Sequence, residues 1–227
     1  MTNVVVFSGG LDSTSVLALS VATGAPTVAV SFEYGQKHSR ELLSARTICE
    51  TLGVPHQTID LTGLFHGSAL LREAVTPVPD GHYAEDSMKA TVIGGRNLLF
   101  AAVAIAAVEE GGSVWVGVHS GDHFVYPDCR EEFWAPLRAL VGEAYAVAVV
   151  TPFLGKSKAE ALTLGAAVGA PYELSWSCYK GGEGESALHC GRCGTCVERA
   201  EAFHLAGIED PTGYADPEFW RTAVSEA

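Results

Sequence analysis

Ser8-Gly9-Gly10-Leu11-Asp12-Ser13 directly follows the apolar run Val4-Val5-Val6-Phe7. The apolar run is typical of a buried parallel strand, and the residues after the glycines read as a helix. Two glycines let the backbone turn sharply and approach an anion, while the start of the helix offers unpaired N–H groups and a partial positive charge. The hydroxyl groups of Ser8, Ser13 and Thr14 add further polar contacts. The stretch therefore predicts a loop that binds the phosphates of a nucleotide.

The composition of this loop separates it from other phosphate-binding motifs. No Lys follows the glycines as in a Walker A loop, and the spacing is not the GxGxxG of a dinucleotide fold. SGGLDS resembles instead the pyrophosphatase loop (PP-loop) of ATP-dependent adenylating enzymes, which transfer AMP to an oxygen and release pyrophosphate. The predicted ATP-binding residues are Phe7, Ser8, Gly9, Gly10, Leu11, Asp12, Ser13 and Thr14.

Short apolar runs alternate with helical patterns along the chain, which predicts an α/β fold with a doubly wound parallel sheet of the Rossmann-like PP-loop type. Strands are predicted at 4–7, 27–32 and 114–118, with a weaker one at 56–61. Helices are predicted after the loop and at 39–53, 96–110, 130–145, 157–169 and 196–205. In the helix at 39–53, Ser39 is the expected cap, Gly53 the end, and Leu42, Leu43, Ile48 and Leu52 the buried side. We expect an ATP-binding domain at 1–170, a zinc-binding helical segment at 171–227 packed on it, and a mobile loop at 65–89.

Length and charge limit the class of function. A chain of 227 residues can bury a generous core, and its formal net charge of −13, without a basic stripe, argues against direct binding of nucleic acid. The N-terminus lacks the basic and apolar pattern of a signal peptide, and residues 99–108 are too few to cross a bilayer. We therefore expect a cytoplasmic protein with no membrane contact and a small-molecule substrate.

Three cysteines with two residues between successive ones, Cys190, Cys193 and Cys196, predict a metal site together with Cys178. Four thiolates suit a closed, structural zinc site. An iron–sulfur cluster is the alternative, because CxxCxxC also begins a ferredoxin-type motif. His189 could replace one of the thiols. Cys49 and Cys129 lie outside the cluster, and Cys49 fits a buried position in a helix.

Five further motifs, taken with the loop, resemble those of the 7-cyano-7-deazaguanine synthase family in the same order. They are Tyr34-Gly35-Gln36-Lys37-His38, Gly95-Arg96-Asn97, Tyr126-Pro127-Asp128-Cys129-Arg130, Ser157-Lys158-Ala159-Glu160 and Trp176-Ser177-Cys178-Tyr179. The resemblance spans residues 4 to about 212. It implies that ATP drives conversion of 7-carboxy-7-deazaguanine and ammonia to the 7-nitrile, a queuosine precursor, in a homodimer with one zinc per subunit.

The chemistry of such a reaction gives the matching residues roles. A carboxylate resists amines until ATP turns it into a mixed anhydride with AMP, and cations offset charge at the phosphoryl group. The resemblance implies Asp12, Lys37, Arg96 and Lys158 as catalytic residues, with Asp12 orienting the loop or holding Mg²⁺. Carboxylates can accept hydrogen bonds from a guanine-like base, and aromatic rings can stack on it. The implied substrate-binding residues are Arg96, Asn97, Asp122, Tyr126, Asp128, Arg130 and Trp176.

Two segments depart from the commonest family pattern and keep other functions open. Gly94 replaces a proline before Gly95, and Val125 replaces a glycine before Tyr126, with His119 and His123 nearby. The first hypothesis is nitrile synthesis. The second is a ligase that activates the same carboxylate but stops at the amide or passes the acyl group to a protein amine. A sulfur-transfer enzyme acting on tRNA and a nucleotide-sensing module are the third and fourth.

Overall fold

A five-stranded sheet with all neighbouring strands parallel, in the order β3-β2-β1-β4-β5, organises the protein. The computed structural model describes residues 1–82, 86–119, 126–181 and 188–226. The strands are β1 (Asn3–Val6), β2 (Thr27–Glu33), β3 (His56–Asp60), β4 (Ser113–Trp115) and β5 (Ala148–Val150). The predicted parallel α/β sheet is confirmed.

Seven α-helices lie in the described part of the chain, and five of them follow strands. They are α1 (Leu11–Ala22), α2 (Arg40–Leu52), α3 (Arg96–Ala107), α4 (Glu131–Tyr145), α5 (Lys158–Ala167), α6 (Gly194–Ala206) and α7 (Phe219–Ser225). The same described ranges contain short 3₁₀ turns at Asp86–Thr91, Pro127–Cys129 and Tyr172–Leu174.

Both faces of the sheet are covered, because successive residues of a strand point to opposite sides. Val4 and Val30 lie in one buried cluster with residues of α3 and α4, while Val5 and Ala29 lie in another with residues of α1 and α2. This two-sided burial explains the near-continuous apolar strands of the sequence. Because the strands are parallel, the carboxyl ends of β1, β2 and β4 lie at one edge of the sheet, where ligands of such sheets bind.

The predicted helix at 39–53 exists but differs in two details. Ser39 occupies the cap position in a helical conformation, and its side chain makes no capping hydrogen bond. Leu43 is 58% exposed rather than buried, since α2 packs through Ala45, Ile48 and Cys49. The predicted end holds, because Gly53 takes the left-handed conformation with φ 66°.

The observed ends of other helices and strands differ from the predicted ends by a few residues. α3 ends at Ala107 rather than at 110, because Val108 takes an extended conformation. β4 ends at Trp115, short of the predicted 118. β5 and α7 were not predicted, and both are short.

The segment at 65–89 does not behave as the expected mobile loop where it is described. Leu70 and Leu71 are buried in the main core with Met88. The N–H of Lys37 donates to the Leu70 carbonyl at 2.7 Å, so the backbone is also tied to the turn after β2. Residues 83–85 of this segment lie outside the described ranges.

The C-terminal part packs on the same body as the sheet. Cys178, Cys193 and Cys196 belong to the buried cluster that contains Val4, and Phe203 of α6 packs with Leu11 of α1. The expected division at 170 stays a prediction. None of the helices in the described ranges is long and apolar enough to cross a membrane.

Candidate active site

Gly9 fixes the shape of the loop at the end of β1. Its φ is +85°, and a Cβ there would overlap the carbonyl oxygen of Glu41 in the first turn of α2. On the other side, the N–H of Trp176 donates to the Gly9 carbonyl at 2.9 Å. The loop is thus held between α2 and the chain before the cysteine cluster, and only glycine fits at this position.

The hydroxyl groups of the loop bond to the loop itself. Ser8 Oγ lies 3.0 Å from Ser13 Oγ and accepts a hydrogen bond from the N–H of Gly10 at 3.2 Å. Thr14 Oγ1 donates to the Gly10 carbonyl at 2.8 Å. These bonds preorganise the start of α1, and residues of this turn line the cleft described below.

Asp12 is the centre of a charged cluster at the loop. Its Oδ2 lies 3.0 Å from Lys158 Nζ and 3.7 Å from His119 Nε2, and Lys158 Nζ also donates to Glu198 Oε2 at 2.7 Å. Burial alone would raise the pKa of Asp12, but the charges and hydrogen bonds of Lys158 and His119 hold it well below its usual value. Asp12 therefore stays ionised, and among the described residues its buried Oδ1 has no hydrogen-bond partner.

A capping box at the start of α5 sets the position of Lys158. Ser157 Oγ accepts from the N–H of Glu160, and Glu160 Oε2 accepts from the N–H of Ser157 at 2.7 Å. Lys158 is consequently the first residue of the helix. Its side chain crosses to Asp12, on the helix after β1.

Arg96 lies at the start of α3 among phenol groups. Burial would lower its pKa, but Tyr34, Tyr179 and Tyr126, with the carboxylate of Asp128, raise it on balance, so the guanidinium is a fixed positive charge. Burial raises the pKa of Tyr34 well above its usual value even though Arg96 bonds to it. Tyr126 is oriented by a 2.8 Å hydrogen bond between its hydroxyl and that of Thr91.

One cleft of about 190 Å³ joins the loop, the Asp12 cluster and Arg96. Aromatic rings form much of its wall, and Phe32 and Phe100 stack with centroids 4.1 Å apart. The predicted residues that line it are Phe7, Ser8, Gly10, Leu11, Asp12, Ser13, Arg96, Asn97, Tyr126, Lys158 and Trp176. The guanidinium carbon of Arg40 lies 4.5 Å from the centroid of the Trp176 ring, and the centroid of the His189 ring lies 4.1 Å from it. Part of the face of Trp176 is therefore occupied by protein.

The other predicted residues lie elsewhere. Gly9 and Thr14 belong to the loop but are not among the described residues that line the cleft. Lys37 is also absent from that lining, and its Nζ donates to the carbonyls of Ala74 and Thr76, each at 3.1 Å. Asp128 acts on Arg96 by charge but, like Arg130, is not among the described lining residues. Asp122 falls within 120–125, outside the described residues.

The structure adds cleft residues that sequence reasoning did not select: Tyr34, His38, Glu41, Tyr179 and Glu198. Burial raises the pKa of Glu41 to about 8, opposed by Arg96 and a hydrogen bond from Gln36. Burial, with the charges of Arg96 and Arg72, lowers the pKa of His38 to about 3. The Tyr34–His38 motif was the available signal, although nothing in its spacing shows that it reaches the cleft.

The four cysteines meet as predicted. The sulfur atoms of Cys178, Cys190, Cys193 and Cys196 all lie within 4.8 Å of one another, with 3.8 Å between Cys190 and Cys196 and 3.4 Å between Cys193 and Cys196. This set could hold a metal ion. His189 is not part of it, because its Nε2 accepts a hydrogen bond from the N–H of Ser177 at 3.0 Å. Cys49 is buried, as expected.

Comparison with known proteins places this arrangement in a family. The model of the family described as "Queuosine biosynthesis protein QueC" matches residues 2–207. The chain belongs to the QueC family. The matched residues run from β1 through the cysteine cluster to the end of α6.

Curated QueC relatives match over almost the whole chain. The 7-cyano-7-deazaguanine synthase of Rhizobium rhizogenes is 51% identical, with 99% of this chain and 97% of that protein covered. The synthase of the same name from Brucella anthropi is 48% identical, with 100% and 99% covered. Among solved structures, a U34-tRNA thiolase from Methanococcus maripaludis aligns with a TM-score of 0.47 and 13% identity, covering 100% of this chain and 71% of that one.

Proposed function

We propose that this chain converts 7-carboxy-7-deazaguanine and ammonia to 7-cyano-7-deazaguanine at the expense of ATP. The observation that carries the proposal is the single cleft in which Lys158 and the glycine loop face the same space as Arg96 and an aromatic wall. Relatives about half identical over their full length carry the name of this activity. The ligase, sulfur-transfer and sensing alternatives receive no such support.

The reaction needs two activations of the same carbon. An oxygen of the carboxylate attacks the α-phosphorus of ATP, the bond to pyrophosphate breaks, and an acyl adenylate forms. Ammonia then displaces AMP to give the amide. The amide oxygen attacks a second ATP in the same way, and departure of AMP from the activated amide leaves the nitrile.

Lys158 and the loop supply the positive groups that adenylation requires. The N–H groups at the start of α1 and the ammonium of Lys158 offset negative charge that develops on the α-phosphate. Asp12 and Glu198 hold that ammonium in place from two sides. The unpartnered Oδ1 of Asp12 fits a Mg²⁺ ion, which would neutralise phosphate oxygens when bound with ATP.

The other end of the cleft suits a flat, polar heterocycle bearing a carboxylate. Arg96 provides the fixed cation for the carboxylate, and Asn97 offers both a donor and an acceptor. Tyr126, held by Thr91, presents an aromatic surface. Asp122, Asp128 and Arg130 are further proposed contacts to the base.

Zinc is the metal proposed for the four cysteines. Zn–S bonds of about 2.3 Å in a tetrahedron put sulfur atoms about 3.8 Å apart. The observed 3.4 and 3.8 Å separations fit one such ion, whereas a [4Fe–4S] cluster binds each of its four thiolates through a different iron and needs wider spacing. Its role would be structural, since all four positions are taken by protein.

A homodimer in the cytoplasm, without direct nucleic-acid contact, completes the proposal. α3 is composed almost entirely of apolar residues after Arg96 and Asn97, and Leu98 on it is 46% exposed. An apolar helix side of this kind suits contact with a second copy. Sedimentation equilibrium of the purified protein tests the stoichiometry, and a monomer at micromolar concentration would refute it.

The test of function is mass spectrometry of the protein incubated with 7-carboxy-7-deazaguanine, Mg-ATP and ammonium. The expected products are AMP, pyrophosphate and the nitrile. Asp12→Ala should lose all three, because Lys158 then lacks its partner on the loop and keeps only Glu198, and the oxygen proposed for Mg²⁺ is gone. AMP with only the amide, or with mass added to a protein, would favour the ligase alternative.

A further inference from the structure

His38 and Glu41 form a buried polar pair in the wall of the cleft. His38 Nε2 lies 3.5 Å from Glu41 Oε1 and 3.4 Å from the hydroxyl of Tyr34. Gln36 Nε2 donates to the same Glu41 oxygen at 3.3 Å, and the Gln36 side chain is fully buried. The pair is therefore fixed from several sides, as expected of a preorganised site rather than of a chance surface contact.

The second ring nitrogen of His38 is the unusual feature. His38 is only 3% exposed, yet its Nδ1 has no hydrogen-bond partner among the described residues. When Nε2 carries the proton and donates to Glu41, Nδ1 keeps a free lone pair. A buried acceptor left without a partner is unfavourable, which points to a ligand or a reacting group that fills the role.

The pair also lies beside the place where activation occurs. The carbonyl oxygen of Glu41 is the atom that a Cβ at Gly9 would overlap, so the first turn of α2 touches the ATP loop directly. Arg96 is near enough to act on both His38 and Glu41 by its charge. His38 thus faces the same cleft as the loop and the proposed carboxylate-binding cation.

The proposed reaction creates a demand for a base at one atom. The nitrogen enters as ammonia with three hydrogens and ends in a nitrile with none. One proton leaves when the amide forms and another when the amide oxygen is adenylated. In the last step the N–H electron pair becomes the new C–N π bond, the C–O bond to AMP breaks, and the third proton needs an acceptor.

We infer that His38 is the catalytic base that takes protons from this nitrogen and that Glu41 is the residue that positions it. The inference rests on the proposed function and deepens it. Nδ1 accepts the proton, while Nε2–H donates to Glu41 and steadies the imidazolium that forms, as a carboxylate does behind other catalytic histidines. Proton release to water then restores the neutral ring.

The charge states at rest fit this division of roles. His38 is neutral at pH 7, since its pKa is lowered to about 3, and so it is available as a base. The pKa of Glu41 is raised to about 8, so its ionisation strengthens the pair above neutral pH. The titratable and charged groups that face the pair from other elements are Glu33, Tyr34, Arg72, Arg96 and Tyr179.

The experiment compares two half-reactions in the full-length protein. Pyrophosphate–ATP exchange that depends on 7-carboxy-7-deazaguanine involves no N–H bond. Conversion of the isolated amide to the nitrile with ATP removes two N–H protons and needs no ammonia, so the titration of ammonium does not confuse its pH dependence. His38→Gln should keep the exchange within about threefold and slow nitrile formation by about 10²-fold or more.

Glu41→Gln separates positioning from folding. Wild-type amide conversion should rise with pH through about 8, and this rise should be absent in the variant. His66→Gln is the matched control, because exposed His66 also pairs with a glutamate, Glu73, but lies outside the described cleft lining; it should leave both half-reactions unchanged.

The outcomes are distinct for the two proposals. Nitrile formation at the wild-type rate in His38→Gln would overturn the assignment of the base, and so would equal loss of both half-reactions, since that indicates a binding or structural role. Absence of carboxylate-dependent exchange in the wild-type protein would refute the proposed function instead.

Discussion

Lys158 Nζ and Asp12 Oδ2 lie 3.0 Å apart, although the two residues stand on different helices 146 positions apart in the chain. The pair brings a cation from the start of α5 to the loop that follows β1. Neither residue alone would place a positive charge at that point of the cleft.

Replacing Lys158 by Met should lower carboxylate-dependent pyrophosphate–ATP exchange by about 10²-fold or more, because the cation that offsets phosphate charge is lost. Lys158→Arg keeps the charge and should recover part of the rate. Lys89→Met is the control, since Lys89 is exposed and pairs with Asp86 on the surface. Exchange at the wild-type rate in the Met variant would contradict this role.

Gly9→Ala should abolish ATP binding and destabilise the fold, because the new Cβ would overlap the Glu41 carbonyl and the residue would keep a φ of +85°. Gly24→Ala has a similar φ of +76° but meets nothing within 4 Å. It isolates the conformational cost, about 1 kcal/mol. Urea unfolding and ATP titration of both variants measure the difference, and equal stabilities would show that the contact with α2 is unimportant.

Gly165→Ala should destabilise the protein even though alanine favours helices. A Cβ at Gly165 in α5 would overlap the hydroxyl of Tyr172 and approach Ser15 Oγ of α1 at 2.6 Å. These two hydroxyls are themselves bonded at 2.6 Å. Gly142→Ala in α4 meets nothing and should stabilise by about 0.5–1 kcal/mol. A gain in melting temperature for both variants would argue against close packing of α1 on α5.

Purified protein should contain one zinc ion per chain and be colourless. Cys193→Ser should lose the metal and much of the stability, since four-coordinate zinc needs all four thiolates. Cys49→Ser, at a buried thiol outside the cluster, should keep the metal. Elemental analysis identifies the metal, and visible absorption from iron would indicate an iron–sulfur cluster instead of zinc.

The buried His38 should make stability depend on pH. Its pKa is about 3 in the folded protein and near 6.5 when unfolded, so the unfolded state binds the proton first as pH falls. The contribution of the neutral ring is present above pH 6.5 and is lost between pH 6.5 and 3. The stability difference between wild type and His38→Gln should fall by about 1 kcal/mol from pH 7 to 5.5. A difference that does not change with pH would show that the ring is solvated.

The fold was predictable where the sequence carries strong local signals. The loop after β1, the start of the helix at Ser157 and the meeting of the four cysteines each depend on particular residues at fixed positions, and all three lie where the sequence predicted them. β5 was missed because three residues give too short a pattern. Leu43 was expected on the packed side of α2 but is exposed, because the buried side of this helix is formed by Glu41, Ala45, Ile48 and Cys49.

The site was harder to predict because polar residues look alike in a sequence. Lys37 and Lys158 were both predicted as catalytic cations, and only the fold shows Lys158 at Asp12 and Lys37 at the carbonyls of Ala74 and Thr76. Glu41 resembles an ordinary acidic residue in the first turn of a surface helix. Its burial follows from the contact of α2 with Gly9, which depends on the tertiary structure.

Trp176 connects the ATP loop to the cysteine cluster within three residues. Its N–H binds the Gly9 carbonyl, and its indole Nε1 donates to the carbonyl of Cys178, a predicted metal ligand. Coupling between two binding equilibria is reciprocal. If a metal at the cysteines raises the affinity of the loop for ATP, ATP must raise the affinity of the cysteines for that metal by the same factor, so the protein with ATP bound would keep its metal at a lower free concentration of the ion than the protein without ATP.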